Sequence, residues 1–203
     1  DSVTTGTSNT FLGAFSGDAL TDADSNVAVG VAALGADTLG SQSVAVGHGA
    51  LQNQNFTTAT NVYNVAVGRD AGNDITTGVR NTLIGGLAGD AITSGDNNIA
   101  IGYGSMGANT LADRNIAIGS QALEVFNITT STDSYNVAVG FQAGNDMTTG
   151  ISNTLIGGFA GDALTDADEN VAVGTSALGA DTLGSKSDAI GRDALKSQNF
   201  TTA

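Results

Sequence analysis

The chain has no proline, no cysteine and no tryptophan, and only 6 lysines and arginines stand against 20 aspartates and glutamates. Without cysteine there are no disulfide staples, no metal–thiolate centre and no thiol nucleophile. The shortage of cations leaves a net charge of −14. That argues against a nucleic-acid or anionic-membrane partner, since both demand a basic face, and it suits solubility or the binding of cations. No apolar run approaches the roughly 20 residues that a membrane-spanning helix needs, and no charged-then-apolar leader opens the chain. Neither membrane insertion nor a targeting signal is therefore expected within this segment.

What the chain does have is 29 glycines in a fixed rhythm. The pentapeptide Asn26-Val27-Ala28-Val29-Gly30 returns with closing glycines at Gly47, Gly68, Gly85, Gly102, Gly119, Gly140, Gly157 and Gly174, and weaker copies close at Gly13 and Gly191. The steps between closing glycines run 17, 17, 21 and 17, and the series then starts again, so Gly13, Gly85 and Gly157 are equivalent. Residues 1–59 match residues 145–203 at 41 of 59 positions. A short fixed period of this kind marks a solenoid in which each coil touches its neighbours. The expected architecture is an all-β parallel β-roll of about eleven coils, continuous over 1–203, with four-coil super-repeats near 1–72, 73–144 and a shorter 145–203. At the strand spacing of a parallel ladder it would make a rod on the order of 50 Å long. Because the last coil stops before its closing strand, the chain reads as a segment of a longer fibre.

The residue before each closing glycine is aliphatic (Leu12, Val29, Val46, Val67, Ile84 and onward) and the residue two earlier is mostly Val, Ile or Thr. Period-two alternation puts this pair on one face of a short strand and Ala28 on the other. The expectation is that the aliphatic pair faces the interior. Two coil types then complement one another. One has Gly four after the closing Gly and an apolar residue seven after it, as in Gly89 with Ile92. The other has Leu or Met at four and Leu at nine, as in Leu34 with Leu39, Met106 with Leu111 and Leu178 with Leu183. Such exchange is what a narrow, close-packed interior requires. Ala or Ser three after every closing glycine implies close approach inside the roll or between chains. So slim a roll buries little per coil, and self-association is expected to add the missing burial.

Asn-Val-Ala-Val-Gly, Asn-Ile-Ala-Ile-Gly and the small residue that follows resemble the head repeats of YadA-like trimeric autotransporter adhesins. The Asn-Thr-x-x-Gly and Thr-Thr-Gly wording is similar to repeats of phage tail fibres and bacterial surface fibres. The resemblance spans essentially the whole chain, although those heads use shorter coils. It implies a left-handed parallel β-roll, three chains side by side in a homotrimer, an extracellular place on a cell surface or virion, and a host or cell-surface receptor or glycan as partner.

Several constellations invite a chemical reading. Asp22, Asp24 and Asn26, with their duplicates Asp166, Asp168 and Asn170, set oxygen donors at alternate positions like the opening of a calcium loop. The turning Gly and distal Glu of such a loop are missing, so a solvated acidic turn is the stronger reading; no other cofactor is implied and Ca2+ is the ion the pattern would suit. Asn55, Asn127 and Asn199 open glycosylation sequons, all in the long coils or their truncated copy. The four-residue insertions carry Asn55, Phe56 and Tyr63, and Phe126, Asn127 and Tyr135, as candidate partner contacts, with Phe56 and Phe126 equally suited to capping the core. The opening Asn of the pentapeptide, replaced by Ser at Ser43 and Ser187, is expected to stack into a structural ladder.

Thr eight after the closing glycine, interrupted by Asn55 and Asn127, forms one column, more naturally a β-branched ladder than an ice-binding face. Gly102-Tyr-Gly104-Ser-Met-Gly107 spells a dinucleotide fingerprint without the strand–helix context it needs. His48, whose equivalents are Ser120 and Arg192, sits at too interchangeable a position for a catalytic base. The function expected is non-enzymatic: a structural and adhesive shaft that extends or presents a receptor-binding region. A ligand-binding solenoid such as an ice-binding protein is the alternative.

Overall fold

In a computed structural model, residues 3–200 are described, and they contain no helix. They form a parallel β-solenoid. Its strands are β1 (Thr10–Leu12), β2 (Val27–Val29), β3 (Gly40–Ser41), β4 (Val44–Val46), β5 (Thr60–Asn61), β6 (Val65–Val67), β7 (Thr82–Ile84), β8 (Ile99–Ile101), β9 (Ala112–Asp113), β10 (Ile116–Ile118), β11 (Thr132–Asp133), β12 (Val137–Val139), β13 (Thr154–Ile156), β14 (Val171–Val173) and β15 (Asp188–Ile190). Eleven of them, one for each closing glycine, pair in chain order into a single parallel sheet along the rod, while β3 with β5 and β9 with β11 make short two-stranded patches. Register is conserved through both coil lengths: Val27 pairs with Val44 across a short coil, and Val44 pairs with Val65 across a long one. The extra residues of the long coil are therefore absorbed away from the main sheet.

The facing expectation is overturned. Ala28, Ala45, Ala66, Ala100, Ala117, Ala138 and Ala172 point into the roll and are fully buried, while the residues before the closing glycines point out, with Val67, Ile84, Ile118 and Ile156 still 36–39% exposed. The reason is the width of the interior. The wall opposite the strand carries the small residue three after the closing glycine, such as Ala33 or Ala88, and stands so close that the strand has room for little more than a methyl group. Where a leucine does enter from the strand, at Leu83 and Leu155, the facing positions are glycine. A Cβ on Gly89 would lie 2.8 Å from Leu83 Cδ2, and one on Gly161 2.8 Å from Leu155 Cδ2.

That position, four after the closing glycine, is left-handed whatever residue fills it: φ is 57° at Gly89, 52° at Leu34 and 52° at Met106. A left-handed L-residue costs roughly 1–2 kcal/mol, and full burial of a leucine side chain contributes roughly 1.5–3 kcal/mol. The strain is tolerated because it delivers core. Leu39, Leu111 and Leu183 do not supply that core as expected, since they are only half-buried. In their coils the inward residue two positions earlier is polar: Asp37, Asn109 and Asp181, all fully buried. The closing glycines are needed for stacking. Gly85 has φ 133°, and a Cβ there would meet Gly102 O at 2.6 Å.

Inside, the pentapeptide asparagines form the expected ladder. Asn98 Oδ1 accepts the backbone N–H of Asn115 at 3.0 Å, and Asn98 Nδ2 donates to Ala112 O at 2.9 Å. Ser43 is too short to continue it. There Gln54 donates to Ser43 Oγ at 3.1 Å and accepts from Asn64 Nδ2 at 2.9 Å, and it also donates to Asp37, whose carboxylate takes the N–H groups of Gly40 and Phe56. The set recurs as Ser187, Gln198 and Asp181. In the middle super-repeat the same three places hold Asn115, Phe126 and Asn109, so polar and apolar solutions are exchanged as a unit.

Ala138→Asp is expected to abolish the far-UV signature of the roll, because an unpaired carboxylate in this interior costs several kcal/mol. Val139→Asp should retain it, whatever it does to self-association. A native spectrum for Ala138→Asp would put the interior on the wrong side of the sheet. Asp37→Ala strands two N–H donors and should cost about 1–3 kcal/mol in chemical denaturation. Asp37→Asn should cost less, since Asn109 Oδ1 accepts the equivalent N–H of Ala112 at 3.0 Å.

Candidate functional site

The acidic turns belong to the coil-to-coil ladder. Asp22 accepts from the Thr4 and Thr5 hydroxyls, and Asp166 from Thr148 and Thr149 at 2.7 and 2.8 Å. These bonds hold both carboxyls below the usual carboxylate range. Asp24 accepts the N–H of Thr7, and Asp168 that of Ile151 at 2.8 Å. Asn26 and Asn170 leave the candidate cation set altogether. Both are fully buried, and their Oδ1 atoms already accept the N–H groups of Ser43 and Ser187. Among the described residues no three His, Asp or Glu side chains gather as a metal site would need.

The threonine column is likewise turned into the backbone. Thr21, Thr93 and Thr165 donate their hydroxyls to the carbonyls of Thr38, Thr110 and Thr182 at 3.0–3.1 Å. Asn55 and Asn127 do not interrupt the column; their Oδ1 atoms accept from Thr38 and Thr110 at 3.2 and 2.7 Å. His48 is an exposed ring 3.5 Å from Asp70, and no helix follows the Gly102–Gly107 spelling.

The long coils expose less than expected. Phe56 and Phe126 turn inward, at 8% and 0% exposure: both precede the inserted residues, Phe126 in the inward place that Gln54 holds in the first super-repeat, and Phe56 with its N–H on the buried Asp37 carboxylate. They are not partner contacts. Residues 57–59 and 129–131 form the exposed tips. Tyr63 and Tyr135 remain about half exposed. Tyr135 is braced: its hydroxyl donates to Asp133 at 3.1 Å, Arg114 pairs with the same carboxylate, and the guanidinium lies 5.8 Å from the ring centroid. Of the sequon asparagines, Asn55 and Asn199 are exposed and Asn127 is half-buried.

One surface feature is concealed by a core assignment of the aliphatic pair. The outward side of the eleven-stranded sheet carries two parallel aliphatic columns. One runs through Val27, Val44, Val65, Ile99, Ile116, Val137 and Val171, the other through Val29, Val46, Val67, Ile84, Ile101, Ile118, Val139, Ile156 and Val173. Thr10, Thr82, Thr154 and Asp188 are the polar members of the first column. The signal in the sequence that could have found the face is the small Ala recurring between two branched residues. Comparison with family models, with curated proteins and with solved structures finds no match.

Beside this face, in the turns after the strands, lie half-buried carboxylates. Burial raises Asp90 above the usual carboxylate range, with the charges of Asp74 and Asp70 adding to it, and burial with Asp146 does the same for Asp162. A carboxyl raised in the folded state binds protons there more tightly than in the unfolded chain. Its contribution to stability is present at low pH and is lost as pH rises through the raised value. Asp90→Asn with Asp162→Asn should therefore raise the unfolding midpoint at pH 7, with the advantage over the parent shrinking toward pH 4. A lower midpoint at pH 7 would mean that these carboxylates make stabilising contacts.

Proposed function

We propose that this chain is a shaft segment of an extracellular homotrimeric fibre, a surface adhesin or tail fibre, which extends or presents a receptor-binding region. The observation that carries the reading is the outward aliphatic face. Two rows of branched side chains along most of a rod are far more apolar surface than a solitary soluble chain leaves open. Conserved register keeps the two columns aligned from coil to coil, so copies can lie side by side along the rod. Each coil is too thin to bury much by itself, and covering this face supplies the missing burial. The likeness of the repeat to YadA-like heads supports three as the copy number.

The role is mechanical and adhesive. Polar side chains are taken up by ladders between coils. The ice-binding alternative gains no support from the threonine column, because its hydroxyls are engaged by the neighbouring coil. Calcium would be at most an outer-surface ligand of Asp22, Asp24, Asp166 and Asp168.

Sedimentation equilibrium should give three times the chain mass of 20.0 kDa, and small-angle scattering an elongated particle. Ile118→Asp with Val139→Asp should release monomers that keep their β spectrum, because the two substitutions charge adjacent levels of one face. A parent that sediments at 20.0 kDa would remove the reading.

A further inference from the structure

Beyond the shaft itself, we infer that the rod carries a repeated receptor site for cationic side chains, one well in each of the first two super-repeats, which captures lysines or arginines of a partner polypeptide. The first well, of about 350 Å³, lies among Phe15, Asp18, Ala32, Gly35, Gln52 and Asn53. The second, of about 300 Å³, lies among Leu87, Asp90, Tyr103, Gly107, Glu124 and Val125. The two are the same place in successive super-repeats: Phe15 corresponds to Leu87, Asp18 to Asp90, Gly35 to Gly107, Gln52 to Glu124 and Asn53 to Val125.

The well exists because one coil lacks side chains where its neighbours have them. Gly35 and Gly107 leave the floor open, and a Cβ on either would stand 3.6 Å from the carboxylate of Asp18 or Asp90. The floor also presents carbonyl oxygens: Ala32 O and Phe15 O lie 3.2 and 3.4 Å from the place of a Gly35 Cβ. One wall is apolar and exposed, with Phe15 at 68% and, in the second well, Tyr103 at 60%. Carboxylate and carbonyl oxygens can only accept hydrogen bonds, so the floor of the well favours a donor, while the Gln52 and Asn53 amides beside the first well can donate or accept. An aliphatic stem against Phe15 or Leu87, with an ammonium or guanidinium head on the carboxylate, satisfies both walls.

Charge points the same way. The chain is at −14, and among the described residues no ion pair engages Asp18, Asp90 or Glu124. In the third super-repeat Lys196 takes the place of Gln52 and Glu124, with its ammonium 2.9 Å from Asp193. A cation already at the rim leaves that copy less suited to a second one, so two wells are expected rather than three. Asp162, the third counterpart of Asp18, retains a buried Oδ1 with no hydrogen-bond partner.

Four coils separate the wells, or about 19 Å at the strand spacing, which an extended peptide spans in about six residues. The probe is a seven-residue Gly/Ser peptide with lysine at each end, titrated into the isotopically labelled full chain while the Gly35 and Gly107 amides are followed by NMR. Both resonances are expected to shift together, and the peptide should bind about tenfold more tightly than one carrying a single lysine, through effective concentration. Acetylating the lysines should abolish the shifts. Asp18→Asn with Asp90→Asn should remove binding, and Gly35→Val with Gly107→Val should do so without changing charge. Asp22→Asn with Asp166→Asn, an equal loss of charge outside the wells, should leave it unchanged.

Equal weakening by the Asp22 and Asp166 pair would reduce the effect to screening of the net charge and overturn the proposal. So would binding of the acetylated peptide, which would mean an apolar or hydroxyl ligand. Failure of the parent to bind in its assembled state would mean that neighbouring copies fill the wells, and would also overturn it. Sedimentation of each sample reports the oligomer separately, so loss of the wells and loss of the trimer are distinguishable.

Discussion

The structure depends on how little room lies between the strand wall and the opposite wall of the roll. Ala100 and Ala117 enter from one side and Ala88 and Ala122 from the other, all without exposure, and a branched side chain cannot be added to either wall without displacing its neighbours. The branched residues of each strand are therefore expelled to the outer face. Where extra volume is introduced, as at Leu83, it is matched by Gly72 and Gly89 on the adjoining levels; a Cβ on Gly72 would come 2.6 Å from Leu83 Cδ1. The four-coil super-repeat is the period of this exchange. Coils cannot vary one at a time, because each interior residue is shared with the coil before and after it.

A roll this thin cannot hide its backbone from water by bulk, so its polar groups are satisfied level by level. The asparagine ladder does this inside, the threonine column does it on one turn, and Asp24, Asp96 and Asp168 accept N–H groups just ahead of the strands. Much of the acidity that distinguishes the composition is thus structural acceptor capacity. The coordinated replacement of Ser43, Gln54 and Asp37 by Asn115, Phe126 and Asn109 follows the same logic. A buried carboxylate persists only with its full set of donors, and when the glutamine goes the carboxylate goes with it.

Scaffold and surface are separated by these rules. The sheet side is apolar at most levels, with Thr10, Thr82, Thr154 and Asp188 the polar members of one column. The turn after each strand is where residues differ between coils, because outward side chains there escape the interior constraint. Both wells lie in those turns, and the long-coil tips at 57–59 and 129–131 lie where extra chain can leave without disturbing register. Variation accumulates where the fold exerts least control.

Period, coil count, the all-β parallel architecture and the asparagine ladder were legible in the sequence, because each follows from identical residues recurring at identical places. The side on which the strand's aliphatic pair lies was not. Period-two alternation states that Val27 and Val29 share a face and Ala28 takes the other, and hydrophobicity alone assigns the larger pair to the core. Only the distance between the walls reverses that assignment. The same holds for Phe56 and Phe126, buried because they precede the extra residues of the long coil, and for Asn26 and Asn170, whose oxygens look like ligands in sequence and are occupied in the fold. Sequence determined which residues stack on which, since stacking is a matter of period; tertiary structure decided what faces inward, since that depends on volumes contributed by residues far apart in the coil.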